Sequence, residues 1–158
     1  DIDKRKISLI QDISFDPLLR SGIVLSNSPL SNKVNSSYLT AAEIATMNLA
    51  GTKLVTLSAC DTGLGVARIG ESVYGLQRSL KVAGSQATLL SLWQVDDIAT
   101  QEFMERFYSL SANNTSFTDA LVRVQKEFQT STYYKGKGWS HPYYWATWQL
   151  VGTNKSKE

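Results

Sequence analysis

The chain has very few of the residues that build metal sites and covalent cross-links, with one cysteine and one histidine among its 158 residues. A single cysteine excludes an internal disulfide. A single histidine excludes a site with several histidine ligands, and one cysteine with one distant histidine is a poor ligand set for zinc. We therefore expect the protein to work without a bound metal or another cofactor.

The chain also lacks long apolar runs and a strong excess of charge of either sign. No run approaches the roughly 18–20 apolar residues of a membrane span, and the mixed charges of residues 1–6 do not resemble a secretory signal. Sixteen basic against fourteen acidic side chains leave a net charge of +2, which is too small for a dedicated nucleic-acid binder. These absences predict a cytoplasmic protein of a reducing compartment, with neither a membrane nor a nucleic acid as its partner.

The residues that are present suffice for one folded domain, because 42% of them are hydrophobic and two domains would need more chain. We predict a single domain over residues 1–158. Because the chain begins at Asp1 rather than at a methionine, we expect this domain to be incomplete at its N-terminal end.

Residues 1–53 are predicted to be an irregular region with one short strand and one short helix. The strand is expected within residues 22–26, and the helix is opened by Thr40 and Glu43, which fit a capping box. Gly51 is expected to end that helix.

Residues 54–93 are predicted to form a β-α-β unit. Two short apolar runs, 54–59 and 87–93, are typical of buried strands, and they flank an amphipathic helix at 71–83. A connection of this kind makes the two strands parallel and the crossover right-handed.

Residues 94–158 are predicted to form two helices and a closing strand. The first helix spans 97–110 and is expected to turn four apolar side chains inward: Ile98, Phe103, Phe107 and Leu110. Ser116 and Asp119 start the second helix, whose apolar face consists of Phe117, Ala120, Leu121, Val124 and Phe128.

The closing strand is expected over residues 143–151, with Trp145 and Trp148 on opposite faces so that at least one of them lies in the core. The alternation of strands and helices along the chain predicts the α/β class. Its expected form is a three-layer α/β/α sandwich around a mostly parallel sheet.

The single cysteine follows the first strong strand directly, and ligands in open α/β sheets bind beyond the carboxyl ends of the strands. At that place Cys60 would also lie near a helix or turn start, where backbone N–H groups lower the pKa of a thiol. A lone cysteine is more often a small buried apolar residue, and its position alone leaves both interpretations open. Nucleotide binding is weakly supported, because Gly63 and Gly65 are followed by Arg68 where the dinucleotide motif needs its third glycine.

The residues around the cysteine match a known family. The run Ser58-Ala59-Cys60-Asp61-Thr62-Gly63-Leu64-Gly65 resembles the cysteine motif of the CHAT family, caspase-like domains often attached to tetratricopeptide repeats. Further stretches resemble the family in the same order along the chain: 17–22, 39–44, 70–78, 91–97 and 141–146.

The resemblance implies a caspase-like fold and a caspase- or separase-type cysteine endopeptidase that cleaves a protein substrate, in bacterial signalling or defence. Carried onto this sequence, Cys60 is the nucleophile of a Cys/His dyad. Backbone N–H groups, including that of Cys60, would hold the oxyanion. A tetratricopeptide-repeat domain is an expected partner.

The sequence departs from the family at the second member of the dyad. The family's catalytic histidine lies in a His-x-x-Thr-His-Gly-like motif on the preceding strand, and residues 1–53 contain no histidine. We expect an upstream segment or a separate chain to supply it, so that this chain alone is inactive. The only histidine present, His141, lies before Pro142 in a position that looks structural in the family.

Three further residues are candidates for substrate binding at the same sheet edge. Asp61 follows the nucleophile, and Trp93 and Asp96 follow the second strand. The acidic residues could receive a basic substrate side chain, with Trp93 as a pocket wall, whereas Asp97 is better explained by its place at a helix start. An alternative function from another class is a non-catalytic caspase-like module that only binds partners.

Overall fold

The computed structural model describes residues 18, 21–24, 38–58, 69–94, 96–130 and 138–152. The chain divides into two compact units. Unit 1 consists of Asp1–Gly51 and Thr62–Ser85, and unit 2 consists of Thr52–Asp61 and Gln86–Glu158. Within the described residues, none of the helices combines the length and the apolar composition that crossing a membrane requires.

In the part of unit 1 that the structure describes, there are a two-stranded antiparallel sheet and two helices. Strand β1 (Gly22–Val24) pairs with strand β2 (Tyr38–Thr40), and helix α1 (Ala41–Ala45) follows β2 directly. The predicted strand within 22–26 is therefore confirmed for its described part.

The predicted start of α1 is confirmed, and its predicted end is wrong. The Thr40 side chain accepts a hydrogen bond from the Glu43 backbone N–H, and the Glu43 carboxylate accepts one from the Thr40 backbone N–H. The helix ends at Ala45 rather than near Gly51, because both the backbone N–H and the hydroxyl of Thr46 donate to the Glu43 carbonyl. These bonds satisfy a carbonyl of the last turn and close the helix early.

Helix α2 (Ile69–Ala83) confirms the helix predicted at 71–83, with two more residues at its start. Gly84 follows it at a φ of +107°, a backbone conformation that favours glycine. The Leu49 backbone N–H donates to the Ala83 carbonyl at 2.8 Å, which ties the segment after α1 to the end of α2.

Unit 2 contains a three-stranded sheet in the order β3 (Leu54–Leu57), β4 (Ala87–Ser91), β5 (Trp148–Gly152). Strands β3 and β4 are parallel, as predicted, and β5 runs antiparallel to β4. The sheet of the described strands is therefore mixed rather than mostly parallel, within a chain of the α/β class. Every residue of β4 is buried, as a central strand requires, whereas β3 is half-buried.

Two helices of unit 2 supply most of its core. Helices α3 (Asp97–Ala112) and α4 (Phe117–Thr130) confirm the two predicted helices. The predicted apolar face of α4 is buried in full, and Phe103 of α3 lies between Phe128 and Trp148, with ring centroids at 5.2 and 5.4 Å. Ser116 starts α4 as predicted, accepting from the Asp119 backbone N–H at 3.1 Å.

One side chain of α3 does not face the core as predicted. Ile98 is 53% exposed. The buried stripe of α3 passes through Ala99, Phe103 and Phe107 at intervals of four residues, and Ile98 lies one residue before it. One residue along a helix turns the side chain by about 100°, which takes Ile98 off the stripe.

The closing strand is shorter than predicted. Residues Pro142–Trp145 form a short helix, α5, and only Trp148–Gly152 are a strand. His141 caps α5, and Pro142 at its first turn has a φ already suited to a helix. Trp145 and Trp148 therefore do not share a strand. Trp148 is buried in the core and Trp145 is half-buried, so the expectation that at least one lies in the core is confirmed.

Candidate functional site

The candidate site lies at one edge of the sheet of unit 2, which we call the carboxyl edge. Because β3 and β4 are parallel, with Leu57 opposite Leu90, both strands end at this edge. Antiparallel β5 begins there, with Trp148 opposite Ser91. The residues just before β5 therefore lie at the same edge as those just after β3 and β4.

The predicted nucleophile comes shortly after β3 in the sequence. Cys60 follows Leu57, the last residue of β3, by three positions. Cys60 and Asp61 lie outside the described residues, so their roles as nucleophile and substrate ligand stay predictions. The described residues show what lies after β4 and before β5.

The segments after β4 and before β5 are joined through the Thr147 hydroxyl. Thr147 is 0% exposed. Its Oγ1 accepts hydrogen bonds from the backbone N–H groups of Leu92 and Trp93 at 3.0 and 3.1 Å, and donates to the Trp93 carbonyl at 3.1 Å. A hydroxyl has one donor and two acceptor positions, so its bonding capacity is filled.

Trp93 is anchored a second time through its ring. The indole Nε1–H donates to the carbonyl of Tyr143 at 3.0 Å, and the residue is half-buried. The structure thus places Trp93 at the carboxyl edge, where a substrate-facing wall was predicted. Tyr143 is 42% exposed, and its ring packs edge-to-face on that of Tyr144, with ring centroids at 5.3 Å.

Asp96 has a structural task at the same place. It is the N-cap of α3, and its Oδ1 accepts from the backbone N–H groups of Ile98 and Ala99 at 3.0 and 3.1 Å. Both bonds use Oδ1, so any contact of Asp96 with a substrate cation has to be made by Oδ2. Asp97 is the first residue of the helix, which agrees with its interpretation as a helix-start charge.

His141 also lies at the carboxyl edge, where it caps α5. Its Nδ1 accepts a hydrogen bond from the Tyr143 backbone N–H at 3.2 Å, and the residue is exposed. An imidazole that accepts at Nδ1 carries its proton on Nε2 in the neutral form. Use of Nδ1 as a proton acceptor in catalysis would compete with this cap.

Sequence reasoning missed Thr147 and Tyr143 as residues that shape this edge. A threonine within an aromatic run has the appearance of an ordinary strand residue. Its bonding partners lie 54 and 55 residues away in the chain, so no local motif could have indicated them.

Comparisons with known proteins identify the family to which most of the chain is similar. The model of the CHAT domain matches residues 9–153. Tetratricopeptide repeat protein 28 of mouse and that of human are 33% and 34% identical to the chain over 116 residues. Those residues are 73% of this chain and 4% of each relative, so the chain spans a small part of their length. No solved structure matches the chain. The match to the family over nearly all of its residues shows that this chain belongs to the CHAT domain family.

Proposed function

We propose that this chain is the cysteine-bearing part of a CHAT-type cysteine endopeptidase, with Cys60 as its nucleophile. One observation carries the proposal: in the sequence the only cysteine comes three residues after Leu57, and β3 ends there at the edge where β4 ends and β5 begins. Membership of the CHAT family and the sequence motif around Cys60 support it. The complete domain is then a three-layer, caspase-like α/β/α sandwich.

The proposed reaction is acyl transfer through a thioester. The Cys60 thiolate attacks the carbonyl carbon of a peptide bond, and backbone N–H groups stabilise the oxyanion. The carbon–nitrogen bond breaks, and an imidazolium donates its proton to the leaving amine. Water, deprotonated by the same imidazole, then hydrolyses the thioester and restores the thiol.

The imidazole in this proposal comes from outside the chain. Residues 1–53 contain no histidine, and the Nδ1 of His141 accepts a backbone hydrogen bond in the cap of α5. The chain would thus be part of a longer protein, or one of two chains that form the active protein. In either case we call the complete assembly the full-length protein. Tetratricopeptide repeats in the names of the mouse and human relatives support such a repeat domain as the attached partner.

The substrate in this proposal is a protein segment that lies across the carboxyl edge. Trp93 forms one wall of its pocket, and Asp61 and the Oδ2 atom of Asp96 are available to a basic side chain. Cytoplasmic location and a role in signalling or defence complete the proposal.

An electrophilic peptide that alkylates active-site thiols tests the proposal in the full-length protein. Cys60→Ala should abolish labelling and proteolysis, because it removes the nucleophile. His141→Asn should retain labelling, because an asparagine side chain can also cap a helix. Equal labelling of Cys60→Ala and the unaltered protein would overturn the assignment of the nucleophile.

A non-catalytic binding module is the second candidate. The observation that favours it is that the only histidine of the chain is engaged in a helix cap. A scaffold of this kind would neither react with the electrophilic peptide nor lose partner binding in Cys60→Ala. Peptide labelling that depends on Cys60 would exclude it.

A further inference from the structure

We propose that Thr147 is a positioning residue that holds Trp93 as a wall of the substrate pocket. The inference rests on the proposed function in one respect, namely that the carboxyl edge binds a peptide. The geometry itself is independent of catalysis.

The chain needs such a support just after β4. The ladder between β4 and β5 ends at the pair Ser91 and Trp148, so Leu92 and Trp93 have left the regular strand. The Leu92 backbone N–H donates to the Thr147 carbonyl at 3.0 Å and to its hydroxyl at the same distance. The Trp93 N–H and carbonyl both bond to that hydroxyl. Thr147 thus continues the pairing for two residues beyond the strand, with its carbonyl and hydroxyl at Leu92 and with its hydroxyl at Trp93.

The ring of Trp93 is held by the same short segment as its backbone. Its Nε1–H donates to the carbonyl of Tyr143, which lies four residues before Thr147. Because the backbone and the ring are anchored to one segment, the indole plane has a set orientation at the carboxyl edge. A wall that is ordered before binding spares the substrate the entropic cost of ordering it.

The hydroxyl, rather than the size of the side chain, carries this role. A valine at 147 has nearly the same shape, but it leaves the Trp93 N–H without this partner and the Trp93 carbonyl without this donor. A serine keeps the hydroxyl and loses only a methyl group. Thr88 provides a matched control, since it is also buried and lies on β4 itself.

The first measurement follows the indole N–H of Trp93 in the full chain, by its nitrogen–proton NMR signal and its hydrogen exchange. The signal is assigned by its loss in Trp93→Phe. Thr147→Val should speed exchange of this proton about tenfold, because the part-buried hydrogen bonds that hold the Trp93 backbone are lost and its ring is then held less firmly. Thr147→Ser and Thr88→Val should leave it close to the unaltered chain. Unchanged exchange in Thr147→Val would overturn the positioning role.

The second measurement separates peptide binding from thiol reactivity in the full-length protein. Thr147→Val should raise the half-saturating concentration of the electrophilic peptide about tenfold. Its reaction with iodoacetamide, which needs no pocket, should stay within about twofold of the unaltered protein. Thr147→Ser should restore peptide binding, and failure to do so would count against the hydroxyl.

Peptide labelling tests the proposed function, whereas hydrogen exchange of Trp93 tests the role of Thr147 without it. If the unaltered full-length protein does not react with the peptide, the peptidase proposal fails. Hydrogen exchange of the Trp93 indole proton still tests whether Thr147 positions Trp93. If Thr147→Val does not fold, Thr147→Ala against Thr147→Ser makes the same comparison between a side chain with the hydroxyl and one without it. Equal exchange in those two variants would then overturn the inference.

Discussion

At the scale of single residues, helix caps account for several side chains that are candidates for chemistry. The candidates Asp96 and His141 cap α3 and α5, in the same way as Thr40, which is not a candidate, caps α1. The first N–H groups of a helix have no acceptor within the helix, so a polar side chain just before it often accepts their hydrogen bonds. Such a residue keeps a role in binding only through the atoms that the cap does not use.

Replacement of Asp96 separates its cap from its charge. Asp96→Ala should lower the free energy of unfolding by about 1 kcal/mol, because two N–H groups of α3 lose their acceptor. Asp96→Asn keeps the acceptor and should be close to the unaltered protein in urea unfolding. If Asp96→Asn retains stability and loses peptide labelling, the carboxylate contacts the substrate. Full stability of Asp96→Ala would contradict the cap.

The capping box of α1 predicts a pH effect at Glu43. The Thr40 backbone N–H and then its hydroxyl, each 2.8 Å from Oε2, hold the pKa of Glu43 below its ordinary value. A carboxyl with a lowered pKa in the folded state stabilises the fold above its unfolded pKa, and this contribution is lost as pH falls through the folded pKa. Thr40→Val should raise the pKa of Glu43 toward its ordinary value in an NMR titration. An unchanged titration would show that the hydroxyl has no part in the shift.

At the scale of elements, α3 and α4 are joined by charged contacts as well as by their aromatic core. Arg106 of α3 contacts Glu102 at 2.7 Å and Glu127 of α4 at 3.3 Å. Its guanidinium also lies over the ring of Phe128, 5.6 Å from the centroid. Arg123 contacts the same Glu127 at 3.3 Å from a more exposed position.

The two arginines offer a matched pair of substitutions. Arg106→Leu should lower the free energy of unfolding by about 2 kcal/mol or more, because it leaves the nearly buried Glu102 without its cation. Arg123→Leu should change it by about 0.5 kcal/mol or less, since its side chain is 66% exposed against 28% for Arg106. Urea unfolding of both variants measures the difference. Equal effects would show that burial does not decide the strength of these contacts.

The end of β5 requires glycine for a steric reason as well as a conformational one. Gly152 has a φ of +102°, and a Cβ there would meet the Gln86 carbonyl oxygen and come within 2.9 Å of the Ala87 Cα. Gly51 has a φ of +89° and open space around it. Because backbone atoms cannot move aside as a flexible side chain can, Gly152→Ala would strain the pairing of β4 and β5.

Alanine at each glycine measures the two effects. Gly51→Ala should cost about 1–2 kcal/mol for the left-handed backbone alone. Gly152→Ala should cost roughly 1–3 kcal/mol more, through the clash with β4. Hydrogen exchange measures the two losses of stability separately. The exchange rates of α2 amides report on Gly51→Ala in unit 1, and those of β4 amides report on Gly152→Ala in unit 2. Equal losses of protection would contradict the steric contribution.

At the scale of the whole molecule, the candidate site occupies one of the two compact units. The carboxyl edge, Thr147, Trp93 and Asp96 all belong to unit 2. On the proposed function, this unit supplies the nucleophile and a pocket wall, and the base comes from elsewhere in the full-length protein.

If the nucleophile and the base come from different parts of the full-length protein, the labelling rate of Cys60 should differ between this chain and the full-length protein. The electrophilic peptide should label Cys60 rapidly in the full-length protein and slowly in the isolated chain, because the proposed function places the catalytic imidazole outside this chain. Mass spectrometry of the labelled cysteine measures both rates, with iodoacetamide as the control that needs no base. Equal peptide rates would place the whole dyad within this chain and make His141 the base to test.

Local sequence patterns predicted the elements whose signals are contained within a few residues. The caps at Thr40 and Ser116, the periodic faces of α2 and α4, and the buried run of β4 all have such signals. The strand predicted over 143–151 is confirmed only from Trp148 onward. Its first residues are helical, because the cap at His141 and the proline after it start a helix despite the β propensity of the aromatic run. The cysteine site was predicted from a motif and a strand end, and it stays a prediction because Cys60 lies outside the described residues.

The sequence by itself determined the α/β class, most helix faces and the family, because these depend on periodicity, caps and a contiguous motif. Only the tertiary structure decided that β5 lies antiparallel beside β4 and that Thr147 bonds to Leu92 and Trp93. Those partners are more than fifty residues apart in the chain. Their meeting depends on which strands pair, and this is settled by burial over the whole of unit 2 rather than by any local run of residues.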